Sequence, residues 1–265
     1  MSAAAAGAER ALVAREGAIA VVSINRPEAR NALDGQTLDA LAVVFAALEG
    51  DAAIRCAILT GAGDKAFAAG ADIKAMAEAD PAGADVLVGH AHRVGDLLEA
   101  SRLPVIAAVN GFALGGGFEL ALACDFILAA RGAKVGMPEV GLGVIPGMGG
   151  TQRLVQRIGV ARARQLVYTG SLVDADAAAR MGLVNEVLEP EELLPRARAV
   201  AAEIATRAPL AVAAAKRALR RGPDLPLDAG IALERRLFCE LFTTHDQKEG
   251  MRAFLDKRAP VWTGR

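Results

Sequence analysis

The sequence predicts an α/β fold that gives way to an all-helical C-terminal portion. Three observations predict it. Short runs rich in β-branched residues alternate with segments of helical spacing. The run Val105–Val109 (VIAAV) is wholly apolar, as a parallel strand covered on both faces requires. Strand-like runs stop after about Glu191, and only helical patterns follow.

The elements follow in order. Ala18–Asn25 (AIAVVSIN) reads as a strand closed by Arg26 and Pro27. Leu33–Leu48 has helical spacing, with Leu38, Leu41, Val44, Phe45 and Leu48 on one face and Asp34 as N-cap. Ile54–Thr60 (IRCAILT) is a second strand, and a helix is predicted over Asp85–Ala100. After Val105–Val109, a glycine turn over Gly111–Gly117 leads into a helix at Phe118–Cys124, and Asp125–Ala130 begins another strand. Val173–Leu188 reads as a short helix and a strand, followed by helices over Leu193–Thr206, Leu210–Arg220 and Leu227–Lys257. Pro209 suits a first helical turn, and Gly222 with Pro223 marks a break. No sequence repeat is clear enough to use. The division expected is a disordered tail over 1–10, an α/β core over 11–200 and a helical region over 201–265.

Composition narrows the function. The 265-residue chain is 53% hydrophobic and 23% charged with a net charge of −1, which gives no global attraction to nucleic acid or anionic membrane. No run reaches the roughly 18 apolar residues of a membrane span, and the first residues lack the pattern of a secretory signal. Cys56, Cys124 and Cys239 are far apart, which fits reduced, buried thiols and a cytoplasmic location rather than a disulfide framework or zinc site. His90 and His92 stand two apart on a helix, do not share a face and are not expected to bind metal; His245 is expected to be structural. Arg217, Arg220 and Arg221 read as the solvated side of a helix, with an interface or RNA patch as the alternative.

The candidate chemistry lies in glycine-rich segments. Glu119 ends Gly111–Glu119 (GFALGGGFE), and Glu139 stands in Gly136–Gly150 (GMPEVGLGVIPGMGG). Glycines let other atoms approach the backbone closely, and two carboxyl groups at one pocket can act as general acid and general base. Glu119 falls in a first helical turn, where it could face a ligand or merely complement the helix dipole. A phosphate loop is disfavoured, since neither Gly-Lys-Ser/Thr nor GxGxxG is present. Gly70 could turn the chain and expose the Ala71 N–H, with Asp72 as a cap; Glu139 alone could be a solvated loop carboxylate.

The combination is more specific than its parts. Asn25–Leu33 (NRPEARNAL), Phe67–Lys74 (FAAGADIK), Ala107–Glu119 (AAVNGFALGGGFE), Pro138 and Glu139 through Gly149–Arg153 (GGTQR), Ala179–Glu186 (ARMGLVNE) and Glu249–Lys257 (EGMRAFLDK) together resemble the enoyl-CoA hydratase (crotonase) family over nearly the whole chain. The resemblance implies a core of repeated ββα units, a C-terminal trimerisation region, and a homotrimer or a hexamer built as a dimer of trimers. It implies a coenzyme A thioester as substrate and no separate cofactor or metal. By motif position, the N–H groups of Ala71 and Gly116 would bind the thioester oxygen, and Glu119 and Glu139 would hold the reacting water. The assignment favours Glu119 as base for the water and Glu139 as acid toward carbon. Coenzyme A and substrate contacts are expected at Arg30, Ala32, Ala69, Asp72, Ile73, Lys74, Phe112 and Pro138, with Lys74 or Lys257 pairing with phosphate. Met137 departs from the glutamine found in many hydratases. The expected activity is reversible hydration of 2-trans-enoyl-CoA in fatty-acid or related acyl-CoA metabolism. The alternatives are an enoyl-CoA double-bond isomerase, which needs only the carboxylate near Glu139, and a non-catalytic or RNA-binding protein of the same fold.

Overall fold

The computed structural model describes residues 10–265. The expected N-terminal tail therefore lies outside the described residues except for Arg10. That residue is tied in: its carbonyl accepts from Asn25 N at 2.8 Å and its guanidinium is 3.4 Å from Asp34.

The strands form two sheets. The larger has six strands in the order β1 (Ala11–Glu16), β2 (Ile19–Ile24), β3 (Cys56–Gly61), β5 (Val105–Val109), β7 (Phe126–Ala130) and β10 (Glu186–Leu188). Only the β1–β2 pair is antiparallel. The smaller sheet runs β4 (Ala66–Ala68), β6 (Phe112–Leu114), β8 (Lys134–Gly136) and β9 (Leu172–Asp174). Between them lie α1 (Gly35–Gly50), α2 (Ile73–Ala77), α3 (Pro81–Ala100), α4 (Gly116–Ala123), α5 (Gly150–Thr169) and α6 (Ala175–Met181). The pairs β3/β4, β5/β6 and β7/β8 each send one strand to the large sheet and the next to the small sheet before a helix returns. This is the expected ββα repeat, carried by the backbone rather than by repeated residues.

The four inner strands of the large sheet, β2, β3, β5 and β7, are apolar on both faces and alternate between two cores. Val22, Leu59, Ala107 and Ile127 face α1, α3 and α4. Val21, Ile58, Ile106 and Leu128 face Leu193, Ala197 and Ala201 of α7 (Pro190–Ala205). A period of two with both sets buried produces the continuous apolar runs read in the sequence.

Several boundaries differ from expectation. The Gly111–Gly117 turn contains strand β6, and the following helix starts at Gly116. The helices α8 (Pro209–Arg221), α9 (Leu227–Leu241) and α10 (His245–Leu255) complete the chain, so Leu227–Lys257 is two helices; Thr244 starts the second by accepting from Gln247 N. Asp34 caps α1 as expected, accepting from Thr37 N at 2.8 Å. Cys239 is exposed, unlike Cys56 and Cys124, whose thiols burial pushes up to about 12. Among the described residues, no helix is long and apolar enough to cross a membrane.

Candidate active site

A cavity of 390 Å³ lies beside the small sheet, between α1, α3 and the segment that follows β8. Both predicted glutamates line it, together with Ala69, Ala71, Asp72, Ile73, Gly116 and Pro138.

Glu119 stands in the first turn of α4 and is 2% exposed. Its Oε1 accepts from Met148 N at 2.8 Å and from Gly150 N at 2.6 Å. Burial raises its pKa, while these amides and the Arg153 charge pull the other way by favouring the ionised form. Glycines make the fit possible. A Cβ on Gly150 would stand 2.8 Å from Cγ and from Oε1 of Glu119, and a Cβ on Gly117 would stand 2.0 Å from Ala68 O.

Glu139 opens a single 3-10 turn, Glu139–Leu142, and lies against Gly115. Among the described residues, neither of its carboxylate oxygens finds a hydrogen-bond donor. Burial first, with a smaller push from the neighbouring Glu119 charge, raises its pKa to about 7. The two carboxyl groups thus differ in kind. Glu119 accepts two amides that favour a charge, whereas the Glu139 oxygens have no hydrogen-bond donor among the described residues and only the pull of its own backbone N–H favours its charge.

The amides of Ala71 and Gly116 also meet here. Leu33 bridges to Ala71 through Leu33 N to Gly70 O and Asp72 N to Leu33 O, so the Ala71 N–H faces away from Leu33. Gly116 is the first residue of α4, and its N–H has no partner within the helix. A Cβ on Gly116 would be 3.8 Å from Ala71 N. Two donors at one side of a cavity with a largely apolar lining suit an oxygen that gains negative charge.

The enoyl-CoA hydratase/isomerase family model matches residues 14–265. The chain belongs to this family. It is 47% identical over 247 residues to the short-chain-enoyl-CoA hydratase of Clostridium acetobutylicum, covering 93% of this chain and 95% of that protein. It is 48% identical over 250 residues to the crotonyl-CoA hydratase of Syntrophomonas wolfei, covering 94% and 96%. The crystal structure of an enoyl-CoA hydratase from Bacillus anthracis superposes with a TM-score of 0.93 at 39% identity, covering 97% of this chain and all 100% of that one.

Not every expected residue of this family member reaches the cavity wall. Arg30, Ala32, Lys74 and Phe112 lie outside it. Arg30 is exposed with φ of 52°, and its carbonyl accepts from Ala69 N. The Ala32 carbonyl accepts from Arg26 at 3.3 Å. Lys74 is exposed next to Ile73, Lys257 is exposed beyond α10, and Phe112 pairs with Ala66 in the small sheet. Asp72 lines the cavity, but its carboxylate pairs with Arg26 at 2.9 Å and accepts from Lys74 N at 3.1 Å. Among the described residues, no cluster of His, Cys, Asp and Glu is placed to hold a metal ion. His90 pairs with Asp39 at 2.8 Å, and His92 Nε2 donates to Gly147 O at 2.8 Å.

The sequence reading missed the apolar wall and the donors to Glu119. Leu38 of α1, Leu87, Val88 and Ala91 of α3, and Leu142 and Ile145 line the cavity. The α3 residues recur at helical spacing and would have signalled an apolar face. Met148 and Gly150 act through backbone amides, which residue type does not reveal.

Proposed function

We propose that this chain catalyses reversible hydration of 2-trans-enoyl-CoA, with Glu119 and Glu139 as the catalytic carboxyl groups and the N–H groups of Ala71 and Gly116 as donors to the thioester oxygen. The observation that carries this reading is the placement of two buried, chemically unlike carboxyl groups on one apolar cavity beside that pair of amides. The named relatives support the same activity.

In the proposed reaction the amides draw electron density toward the thioester oxygen, leaving the β-carbon electrophilic. Water forms a C–O bond to that carbon and gives its proton to ionised Glu119, while the α-carbon takes a proton from neutral Glu139. The enolate electrons return to form the α C–H bond, and the carbonyl is restored. Glu119 ends protonated and Glu139 ionised; proton exchange with water resets the pair. Coenzyme A belongs to the substrate, and no step calls for a cofactor. Asp72, Arg30, Ala32, Ala69, Ile73, Lys74, Phe112 and Pro138 are proposed contacts for the substrate, those outside the cavity wall meeting its coenzyme A portion.

We further propose a cytoplasmic homotrimer or hexamer assembled through the helical region from about residue 201. The exposed Phe238, Phe254 and Leu255 on α9 and α10 support this, since association is a way to cover large apolar groups left on the surface.

The test is hydration of crotonyl-CoA, followed by loss of the conjugated thioester absorbance, for wild type, Glu119→Gln and Glu139→Gln. Turnover by wild type with losses on the order of 10²- to 10⁴-fold in both variants is expected. Undiminished turnover in either variant would sink the two-carboxylate assignment. Among the described residues neither Glu139 oxygen has a hydrogen-bond donor, so a proton shuttle between carbons is a second use of the site; a 3-enoyl-CoA that rearranges in Glu119→Gln as fast as in wild type would favour isomerisation.

A further inference from the structure

Behind the loop that supplies amides to Glu119, three charged side chains from three helices form an unbroken chain. Arg153 of α5 donates from Nη1 to Met148 O at 2.5 Å and from Nε to Glu99 Oε1 at 2.6 Å. Arg220 of α8 donates from Nη2 to Glu99 Oε2 at 2.5 Å. The side chains of Arg153 and Glu99 are only 14% and 15% exposed. The guanidinium has a made space: a Cβ on Gly149 would stand 2.5 Å from Nη1, and one on Gly95 of α3 would stand 3.1 Å from Nη2. Burial alone would raise the Glu99 pKa, but hydrogen bonds from Arg153 and Arg220 outweigh it and hold the carboxyl below its ordinary value. Arg220 therefore does not belong to a merely solvated helix face.

A largely buried ion triad is a weak source of net stability, because desolvation offsets the attraction. Its geometry has another consequence. The Met148 carbonyl is held by Arg153 while the Met148 amide donates to Glu119, and the Gly150 amide donates to the same oxygen. We propose that Glu99 and Arg220 act with Arg153 as positioning residues that fix the peptide groups from Met148 to Gly150, so that both amides converge on Glu119. The α8 helix thereby takes part in aiming a carboxylate it does not touch. None of the three side chains lines the cavity, so the device reaches it only through the loop it holds, whose Gly147 and Met148 do line it. Its catalytic consequence rests on the hydratase reading above.

The test uses the full chain as wild type, Arg220→Ala, Arg220→Lys and Glu99→Gln, with two readouts. The first is hydrogen exchange of residues 144–152, which needs no substrate. Exchange is expected to speed up about ten-fold or more in Arg220→Ala and Glu99→Gln and to return toward wild type in Arg220→Lys. The second is crotonyl-CoA hydration. The expected result is a fall in kcat of about ten- to a hundred-fold with KM within about two-fold, again recovered by Arg220→Lys. Should Glu99→Gln fail to fold, the two Arg220 variants decide. Wild-type exchange in folded Arg220→Ala overturns the proposal, as does faster exchange with unchanged kcat. A wild type that does not hydrate crotonyl-CoA counts against the hydratase reading, and the exchange of residues 144–152 then decides the positioning role by itself.

Discussion

Glu139 lies against Gly115 so closely that a Cβ built on that glycine would stand 2.8 Å from Oε1. Gly115 also holds φ of 49°, where a side chain is strained. Gly115→Ala must therefore displace the carboxylate, the backbone or both. Turnover of crotonyl-CoA is expected to fall about a hundred-fold, because displacement on the order of 1 Å is costly for proton transfer. A Gly115→Ala enzyme of wild-type rate would show that the position of Glu139 is not critical.

Removal of the Glu119 charge should be felt at Glu139, since that charge adds to the rise of the Glu139 pKa. In Glu119→Gln the Glu139 carboxyl is expected to titrate below its wild-type midpoint. Difference infrared spectroscopy of the carboxylic C=O band against pH would measure it. An unmoved midpoint would mean that burial alone sets the value.

Stability carries a second signature of Glu139. Its pKa rises from 4.5 to about 7 on folding, so the folded chain holds more protons than the unfolded chain between those values. Stability therefore falls as pH rises through that window. Glutamine has no charge to desolvate, so Glu139→Gln should match wild type near pH 4.5 and melt higher above pH 7. An increase of about 2–4 °C is expected for a half-buried group in a chain of this size. A melting difference that stays constant across pH would argue against desolvation of the Glu139 carboxylate as its cause.

The apolar wall should set acyl preference. Leu87 of α3 is half-buried at the cavity, and its truncation opens space without cutting into the main core. Leu87→Ala is expected to raise kcat/KM for a hexenoyl thioester relative to crotonyl-CoA by about ten-fold, the scale of discrimination available to small changes in apolar volume. An unchanged ratio would place the acyl chain elsewhere.

The legible and illegible parts of the sequence differ for physical reasons. Strands buried on both faces gave plain apolar runs, and the glycine-rich segments marked where Glu119 and Glu139 sit. Strand β1 lacks a legible burial pattern because only Ala11 is buried along it. The small sheet consists of three-residue strands, too short for a period to show. Helix α5 was obscured by Gly159, whose φ of 75° interrupts the helical pattern. The hydrogen bonds to Glu119 come from residues 29 and 31 positions away, through groups every residue carries. Arg220 reads as a surface charge until the fold brings Glu99, 121 positions away, to meet it.

The amides of Ala71 and Gly116 occupy comparable places, each on the segment that follows a strand of the small sheet, β4 in one case and β6 in the other. They are main-chain groups, so exchange of the Ala71 side chain leaves both N–H donors in being. The two acids, by contrast, are single side chains that one codon change can replace. On the proposed reading, grip on the carbonyl is heritable with the fold itself, while the fate of the bound thioester is decided by a few replaceable acids. A scaffold divided in this way can change its reaction and still hold the same class of substrate.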